Sequence, residues 1–146
     1  MVLPPPAPAP ETPSSARGRA LFDSTGCAGC HTPSLATGPQ ISSGSGTVPS
    51  AALSGKRVDL YSDLLVHGMG EGLADGIAQG GAGPDEFRTA PLWGLRFRNK
   101  KLHDGRTTST ASAIQAHDGQ GAAARNAFNA ATAAQRNDLL LFLSAI

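Results

Sequence analysis

Both cysteines of the chain lie in one five-residue motif, Cys27-Ala28-Gly29-Cys30-His31. The C-x-x-C-H spacing is typical of a covalent attachment site for c-type haem. Two thiols three positions apart can each form a thioether with a haem vinyl group, and the adjacent imidazole can then reach the iron from one side. The motif predicts one haem c per chain, held by Cys27 and Cys30, with His31 as the proximal iron ligand.

Three other uses of the cysteines leave part of this motif unexplained. A thioredoxin-like dithiol follows a strand and precedes a helix, whereas the residues before Cys27 look helical and Gly26 breaks that run. A structural zinc site usually needs four Cys or His ligands, and the chain offers two Cys and only scattered His. A simple disulfide would not require His31. We therefore favour haem over these three alternatives.

Composition limits the remaining function classes. The 146 residues suit one domain, and a net charge of +1 with 16% charged residues gives no strong field, so we expect neither nucleic-acid binding nor a membrane surface as partner. Aromatic residues make up only 5% of the chain, so a buried porphyrin could supply much of the core volume. Eighteen Gly and eleven Pro predict long irregular connections around such a cofactor.

The sequence also bears on location. No apolar run approaches the roughly 18 residues that a membrane helix needs, and no basic-then-apolar signal pattern opens the chain. We expect no membrane insertion. Because haem is joined to C-x-x-C-H motifs outside the cytoplasm in most bacteria, we expect a periplasmic or otherwise extracytoplasmic protein, and we interpret the chain as a fragment or one domain of a longer secreted protein.

A proline-rich segment precedes the motif. Proline has no backbone N–H and favours an extended polyproline conformation, so residues 1–13 are predicted to form a tether. A single c-type cytochrome domain is then predicted over residues 14–146. The prolines in question are Pro4, Pro5, Pro6, Pro8, Pro10 and Pro13.

A helix is predicted at each end of this domain. Ser14 or Ser15 can cap a helix that runs to about Asp23. The capping-box pattern at residues 132–135 begins a second helix that runs to Ile146. We expect the two helices to cross closely beside the haem, as in cytochrome c. Small residues of the first helix, Gly18 or Ala20, would permit the contact.

Between these helices the pattern is weaker. Residues 42–46 and 71–83 are predicted to be loops, residues 110–117 and 122–129 short helices, and residues 59–66 either a short helix or an extended segment. No alternating pattern predicts a sheet. The expected fold is therefore all-α, a cytochrome c-like haem domain with crossing terminal helices and long irregular loops.

The sixth iron position decides between electron transfer and catalysis. His117 lies near the end of a short predicted helix, where its side chain can be directed inward. Met69 lies between Gly68 and Gly70, which would let the backbone approach a flat ring closely. From the spacing alone, His117 and Met69 remain nearly equal. The full set of candidates is His67, Met69, His103 and His117.

Several further segments resemble one known family. Together they look like the C-terminal haem domain of the bacterial di-haem oxidoreductase family, which is itself similar to the di-haem cytochrome c peroxidases. The resemblance covers nearly everything after the tether. The segments are residues 18–33, 61–70, 73–76, 87–95 (Phe-Arg-Thr-Ala-Pro-Leu-Trp-Gly-Leu) and 102–106 (Leu-His-Asp-Gly-Arg).

The resemblance implies a ligand set. In the peroxidases the helix after the His-Asp-Gly turn supplies the second axial ligand, and here that position falls on His117. The resemblance thus implies low-spin bis-histidine iron, with Met69 as the alternative distal ligand. His67 and His103 then read as framework or haem-edge residues.

Other residues are expected to surround the haem. Guanidinium groups and an indole N–H suit the propionates, which makes natural partners of Arg88, Arg96, Arg98 and Trp93. Gly38-Pro39 resembles the Gly-Pro of small cytochromes, whose carbonyl orients the proximal imidazole. Pro39 is therefore an expected haem-site residue.

The chain also departs from the family. It has one haem motif where family members carry at least two, and Gly68 stands where the family commonly has Asp. With both axial positions filled, we expect electron transfer to a redox partner protein or a fused haem domain. The alternatives are a peroxidase or thiol oxidoreductase whose distal ligand detaches, and a sensor that binds a small gas. Whether the chain is itself an enzyme is left open.

Overall fold

The computed structural model describes residues 7–43, 46–48 and 50–146. Four α-helices form the frame: α1 Pro13–Ser24, α2 Thr110–Gln115, α3 Ala122–Ala130 and α4 Ala133–Leu143. Short 3₁₀ turns occur at Cys27–Gly29, Leu95–Phe97 and Gly119–Gly121. Among the residues described, no helix is both long and apolar enough to cross a bilayer.

The all-α prediction is wrong. The fold is mixed, with 35% helix and 13% strand, and three two-stranded antiparallel ribbons connect the helices. Because each strand is only two or three residues long, it is too short to show an alternating pattern in sequence. The pairs are β1 Leu35–Ala36 with β4 Arg57–Val58, β2 Ile41–Ser43 with β3 Gly46–Val48, and β5 Val66–Gly68 with β6 Glu86–Arg88.

Several element boundaries differ from the sequence expectation. α1 begins at Pro13, the last residue of the predicted tether, and its cap is Thr12, whose side chain accepts a hydrogen bond from the Ser15 amide. The predicted loop at 42–46 contains the end of β2 and the start of β3, and its residues 44–45 lie outside the described residues. Residues 59–65 form no helix; they are irregular, with Tyr61 and Leu64 at positive φ, and lead into β5 at Val66. Residues 1–6 of the predicted tether also lie outside the described residues.

The close crossing of the terminal helices is confirmed. A Cβ atom added to Gly18 of α1 would lie 2.0 Å from the Asp138 carbonyl oxygen of α4 and 2.8 Å from Cβ of Phe142. Only glycine permits this approach. The capping box predicted for α4 is also present, formed by Thr132 and Gln135.

The apolar core lies where α1, α3 and α4 meet. Its buried members are Phe22, Phe128, Leu139, Phe142, Leu143 and Ile146. Phe22 packs edge-on against Phe142, with ring centroids 5.4 Å apart. Leu92, Leu95 and Ile114 pack against this cluster from the connecting segments, so one side of the core faces the segment that contains the cysteine motif.

The described part of the proline-rich segment lies against the end of the chain. The Ala9 amide donates to the Ala145 carbonyl oxygen at 2.7 Å. The Arg96 guanidinium donates to the same carbonyl oxygen at 2.9 Å and to the carbonyl oxygen of Ala7. Residues 7–9 are thus joined to both the C-terminal residues and the 95–97 turn.

Candidate functional site

The cysteine motif follows directly on α1. Gly26 adopts φ +86°, which ends the helix and turns the chain into the 3₁₀ turn Cys27–Gly29. The His31 amide donates to the Cys27 carbonyl oxygen at 3.0 Å, closing one turn over the motif. Both thiols are half-buried and unpaired. Burial raises the pKa of the Cys27 thiol and of the Cys30 thiol, so both are protonated at neutral pH.

A cavity of about 350 Å³ opens beside this motif. Its volume is in the range of cofactor-binding clefts. The wall is largely apolar, made by Phe22, Leu73, Phe87, Leu92, Leu95, Leu102, Ile114, Leu139 and Leu143. Cys27, Cys30 and His31 form part of the wall, and Met69 and His117 also line it.

His31 is held in one orientation by the backbone. Its Nδ1 lies 3.1 Å from the Tyr61 carbonyl oxygen, and a ring nitrogen that faces a carbonyl carries the proton. Burial lowers the pKa of His31, and the nearby His117 and His67 lower it further. His31 is therefore neutral at pH 7, and its Nε2 lone pair is available to a metal.

The proximal carbonyl differs from the sequence expectation. Tyr61, and not Pro39, supplies the oxygen within hydrogen-bond distance of His31. Pro39 is exposed and does not line the cavity. Tyr61 adopts φ +54°, a left-handed conformation that is unusual for a residue with a side chain. Such local strain is common at functional sites.

His117 follows α2 and shows the same arrangement. Its Nδ1 lies 2.8 Å from the Ala113 carbonyl oxygen. Metal-binding histidines usually donate their second ring N–H to a carbonyl or carboxylate, which fixes the tautomer. In the part of the chain that the structure describes, neither His31 nor His117 has a hydrogen-bond partner on Nε2.

The two imidazoles are separated by a distance that suits one metal ion. Their ring centroids are 6.4 Å apart, with the planes at 50°. Two metal–nitrogen bonds of about 2 Å, plus about 1 Å from each nitrogen to its ring centroid, require roughly 6 Å. The spacing of the His31 and His117 rings therefore suits two ligands of one metal ion.

Met69 lies beside His117. A Cβ atom added to Gly121 would meet Cβ of His117 at 3.1 Å and Cε of Met69 at 3.2 Å. Both side chains therefore approach the same bare backbone position. Of the two, His117 has a ring nitrogen within hydrogen-bond distance of a carbonyl oxygen and a second imidazole ring 6.4 Å away.

The segment around Met69 packs against the turn that follows His117. A Cβ on Gly70 would lie 3.1 Å from Cβ of Asp118, and one on Gly119 would lie 2.4 Å from the Gly68 carbonyl oxygen. The Gly68 amide donates to Oε1 of Gln120 at 2.9 Å. These glycines let the Met69 segment pack against the turn after His117.

A comparison of the chain with models of known protein families identifies its family. The model described as "Di-haem oxidoreductase, putative peroxidase" matches residues 5–146. The chain belongs to this di-haem oxidoreductase family. Membership implies haem binding and redox chemistry. A search of the curated proteins and one of the solved structures found no match.

Cationic side chains line part of the cavity of this di-haem oxidoreductase family member. Arg88 and Arg98 are among them, as expected for propionate partners. The Arg98 guanidinium also donates to the Pro91 and Trp93 carbonyl oxygens, at 2.8 and 3.1 Å. Sequence reasoning missed three further cations, although two stand as a Lys-Lys pair just before the Leu-His-Asp-Gly segment: Lys100, Lys101 and Arg125.

Two expected propionate partners lie elsewhere. Trp93 and Arg96 do not line the cavity. The Arg96 guanidinium binds the carbonyl oxygens of Ala7 and Ala145 and stacks on the Phe97 ring, 4.6 Å from its centroid. Its charge is therefore used to join segments of the fold. Arginine and tryptophan side chains can bind carboxylates, but their presence in the sequence does not show which of them line the cavity.

The two remaining histidines have framework contacts. The His103 ring stacks on Phe87, with centroids 4.0 Å apart and planes at 18°. Nε2 of His67 lies 2.8 Å from Oδ2 of Asp63. His67 and His103 also line the cavity, but neither has an imidazole opposite it as His31 and His117 do.

Proposed function

We propose that this member of the di-haem oxidoreductase family binds one c-type haem and transfers electrons. In this proposal Cys27 and Cys30 would form the thioether bonds, and His31 and His117 would bind the iron. Bound there, the haem supplies a one-electron Fe(III)/Fe(II) couple. The apolar wall excludes water, and the Tyr61 and Ala113 carbonyl oxygens orient the two imidazoles.

One observation carries the proposal. Two imidazoles line the cavity beside the Cys27–His31 motif, at a centroid distance of 6.4 Å, each with Nδ1 within hydrogen-bond distance of a carbonyl oxygen. If both imidazoles bind the iron of one haem, no iron position would be left open for peroxide. This arrangement therefore favours electron transfer over catalysis.

Absorption spectra of the oxidised and reduced holoprotein test the ligand set. We expect a six-coordinate low-spin spectrum without the methionine-to-iron band. His117→Ala should convert it to a high-spin form, whereas Met69→Leu should leave it low-spin. A five-coordinate high-spin spectrum in the unmodified protein would refute the proposal, and a high positive midpoint potential that Met69→Leu lowers would make Met69 the ligand.

A peroxidase or thiol oxidoreductase is the second candidate function. The family description supports it, as does the contact of Met69 and His117 with the same site at Gly121, which offers two alternative distal side chains. Sustained turnover of hydrogen peroxide by the isolated chain, abolished by cyanide, would establish this activity. No turnover in either redox state would leave electron transfer as the favoured function.

A gas sensor is a further alternative. Rapid binding of carbon monoxide to the reduced form would indicate this function.

We propose a periplasmic or otherwise extracytoplasmic location, because haem is joined to this motif outside the cytoplasm in most bacteria. The electron partner would be a second haem protein or a haem domain fused to this one. A near-zero net charge of +1 predicts that association with such a partner depends weakly on salt. Fractionation of the native host, followed by haem staining of the periplasmic extract, tests the location.

A further inference from the structure

One group of side chains at the cavity has no role in iron ligation. Sγ of Cys30 lies 3.8 Å from Nδ1 of His67, and Nε2 of the same ring lies 2.8 Å from Oδ2 of Asp63. The ligating atoms of the three residues lie within 4.8 Å of one another. The order thiol, imidazole, carboxylate is that of an activated cysteine nucleophile.

The contacts define the tautomer of His67. A carboxylate only accepts hydrogen bonds, so Nε2 carries the ring proton and Nδ1 presents a lone pair to the Cys30 thiol. Desolvation alone would raise the pKa of Asp63. Hydrogen bonds from the Leu65 amide and from the side chains of His67 and Thr89 outweigh it and hold this pKa below its ordinary value.

The Cys30 thiol needs such a base. Its Sγ is half-buried in the cavity wall. A thiol attacks electrophiles only after it loses its proton. Cys27 has no imidazole at hydrogen-bond distance, and its nearest side-chain partner is the Thr25 hydroxyl at 3.4 Å. The two cysteines of the motif are therefore chemically distinct.

The backbone keeps this group in place. The Asp63 amide donates to the Cys30 carbonyl oxygen at 2.8 Å. The Leu65 amide donates to Oδ1 of Asp63 at 2.9 Å, which leaves Oδ2 for His67. His67 lies in the centre of β5, opposite Phe87 of β6. The side chains of His67 and Asp63 are only 17% and 14% exposed, so water competes little for their contacts.

We propose that His67, oriented by Asp63, is the general base that joins Cys30 to a haem vinyl group. Nδ1 of His67 removes the thiol proton, and Sγ of Cys30 forms a bond to one vinyl carbon. The π pair of the vinyl double bond takes the proton back from His67 at the other carbon. The addition consumes no water or oxidant, and it leaves His67 neutral. The inference rests on the proposed haem attachment at Cys27 and Cys30.

The test uses the full chain, free of haem, with reduced thiols. The Cys27→Ala background isolates attachment at Cys30, and haem is added anaerobically with a reductant. The mass of the denatured protein and the pyridine haemochrome band measure the bond formed. We expect His67→Gln to slow attachment about a hundredfold, the lower range of general-base effects, and Asp63→Asn to slow it less. Asp59→Asn, which changes an exposed carboxylate paired with Arg57 outside the cavity, is the matched control for Asp63→Asn and should attach haem at the unmodified rate.

A second measurement needs no haem. Iodoacetamide also requires a thiolate, so its rate of reaction with Cys30 in the Cys27→Ala background should fall in His67→Gln. An unchanged attachment rate in His67→Gln, or no bond formed in any variant despite non-covalent haem uptake, would overturn the role of His67. A chain that takes up no haem at all would overturn the proposed function itself. In that case the iodoacetamide rates would still show whether His67 activates the Cys30 thiol.

Discussion

Gly121 lies beside His117 and Met69, the two candidate distal ligands, and it has no side chain to collide with them. Its φ is not in the left-handed region, so alanine would cause no backbone strain there. The added methyl would instead meet Cβ and Cδ2 of His117 at 3.1 and 3.3 Å and Cε of Met69 at 3.2 Å. The glycine therefore leaves room for the two candidate distal side chains.

We expect Gly121→Ala to displace His117 and to reduce the low-spin fraction of the oxidised holoprotein. Absorption spectroscopy measures this fraction. Gly72→Ala is the control, because nothing lies within 4 Å of its added Cβ. An unchanged spectrum in Gly121→Ala would mean that the distal ligand does not pass beside this glycine.

At this scale a motif and a family resemblance were better guides than residue type. They singled out His31 and His117, which line one cavity, and the role of the two imidazoles as iron ligands stays a prediction. Arg96 and Pro39 were chosen by residue type, and their actual contacts come from tertiary packing that no local pattern encodes. Tyr61 acts through a backbone carbonyl, which any residue possesses, so its side chain gave no signal.

Among the secondary-structure elements, the crossing of α1 and α4 depends most on one position. We expect Gly18→Ala to destabilise the protein by about 3 kcal/mol, because the added Cβ would lie 2.0 Å from a backbone oxygen of α4, and backbone cannot give way as a side chain can. Urea unfolding measures the loss. Ala20→Ser, on an exposed part of the same helix, should cost well under 1 kcal/mol, and equal losses in the two variants would contradict the crossing.

An ion pair joins the same two helices. The Arg17 guanidinium donates to both carboxylate oxygens of Asp138, at 2.7 and 3.3 Å. This hydrogen bond holds the pKa of Asp138 below its ordinary value. The pair therefore stabilises the fold above the ordinary aspartate pKa, and this contribution is lost as the pH falls through the lowered folded-state pKa.

Unfolding midpoints between about pH 5 and pH 3 should accordingly fall more steeply for the unmodified protein than for Asp138→Asn. The Arg17→Gln variant should follow Asp138→Asn, because either change removes the pair. Parallel curves for all three proteins would show that the pair contributes nothing in this pH range.

The helices were predictable because they carry their own start signals, as Thr132 and Gln135 do for α4. The ribbons were not. A strand such as Arg57–Val58 is fixed by pairing with Leu35–Ala36 more than twenty positions earlier, and two residues cannot show a period.

Over the whole molecule, the apolar core is small for a chain of 146 residues. Among the described residues, eight apolar side chains are buried, six of them in one cluster, and a cavity of about 350 Å³ lies beside that cluster. A ligand that fills this cavity in the folded state alone adds to its stability. We expect the double variant Cys27→Ser/Cys30→Ser, prepared without haem, to lose helical circular dichroism and to melt at least 10 °C below the holoprotein. Equal melting temperatures would show that the protein core suffices.

The positions of His31 and His117 have a consequence for stability as well as for electron transfer. One imidazole follows the first helix and the other precedes the last two, so coordination by both would close a loop of more than half the chain. Such a bond is a cross-link that reduction can weaken or strengthen. By thermodynamic reciprocity, the oxidation state in which the iron binds imidazole more tightly must also be the one in which the chain resists unfolding more strongly.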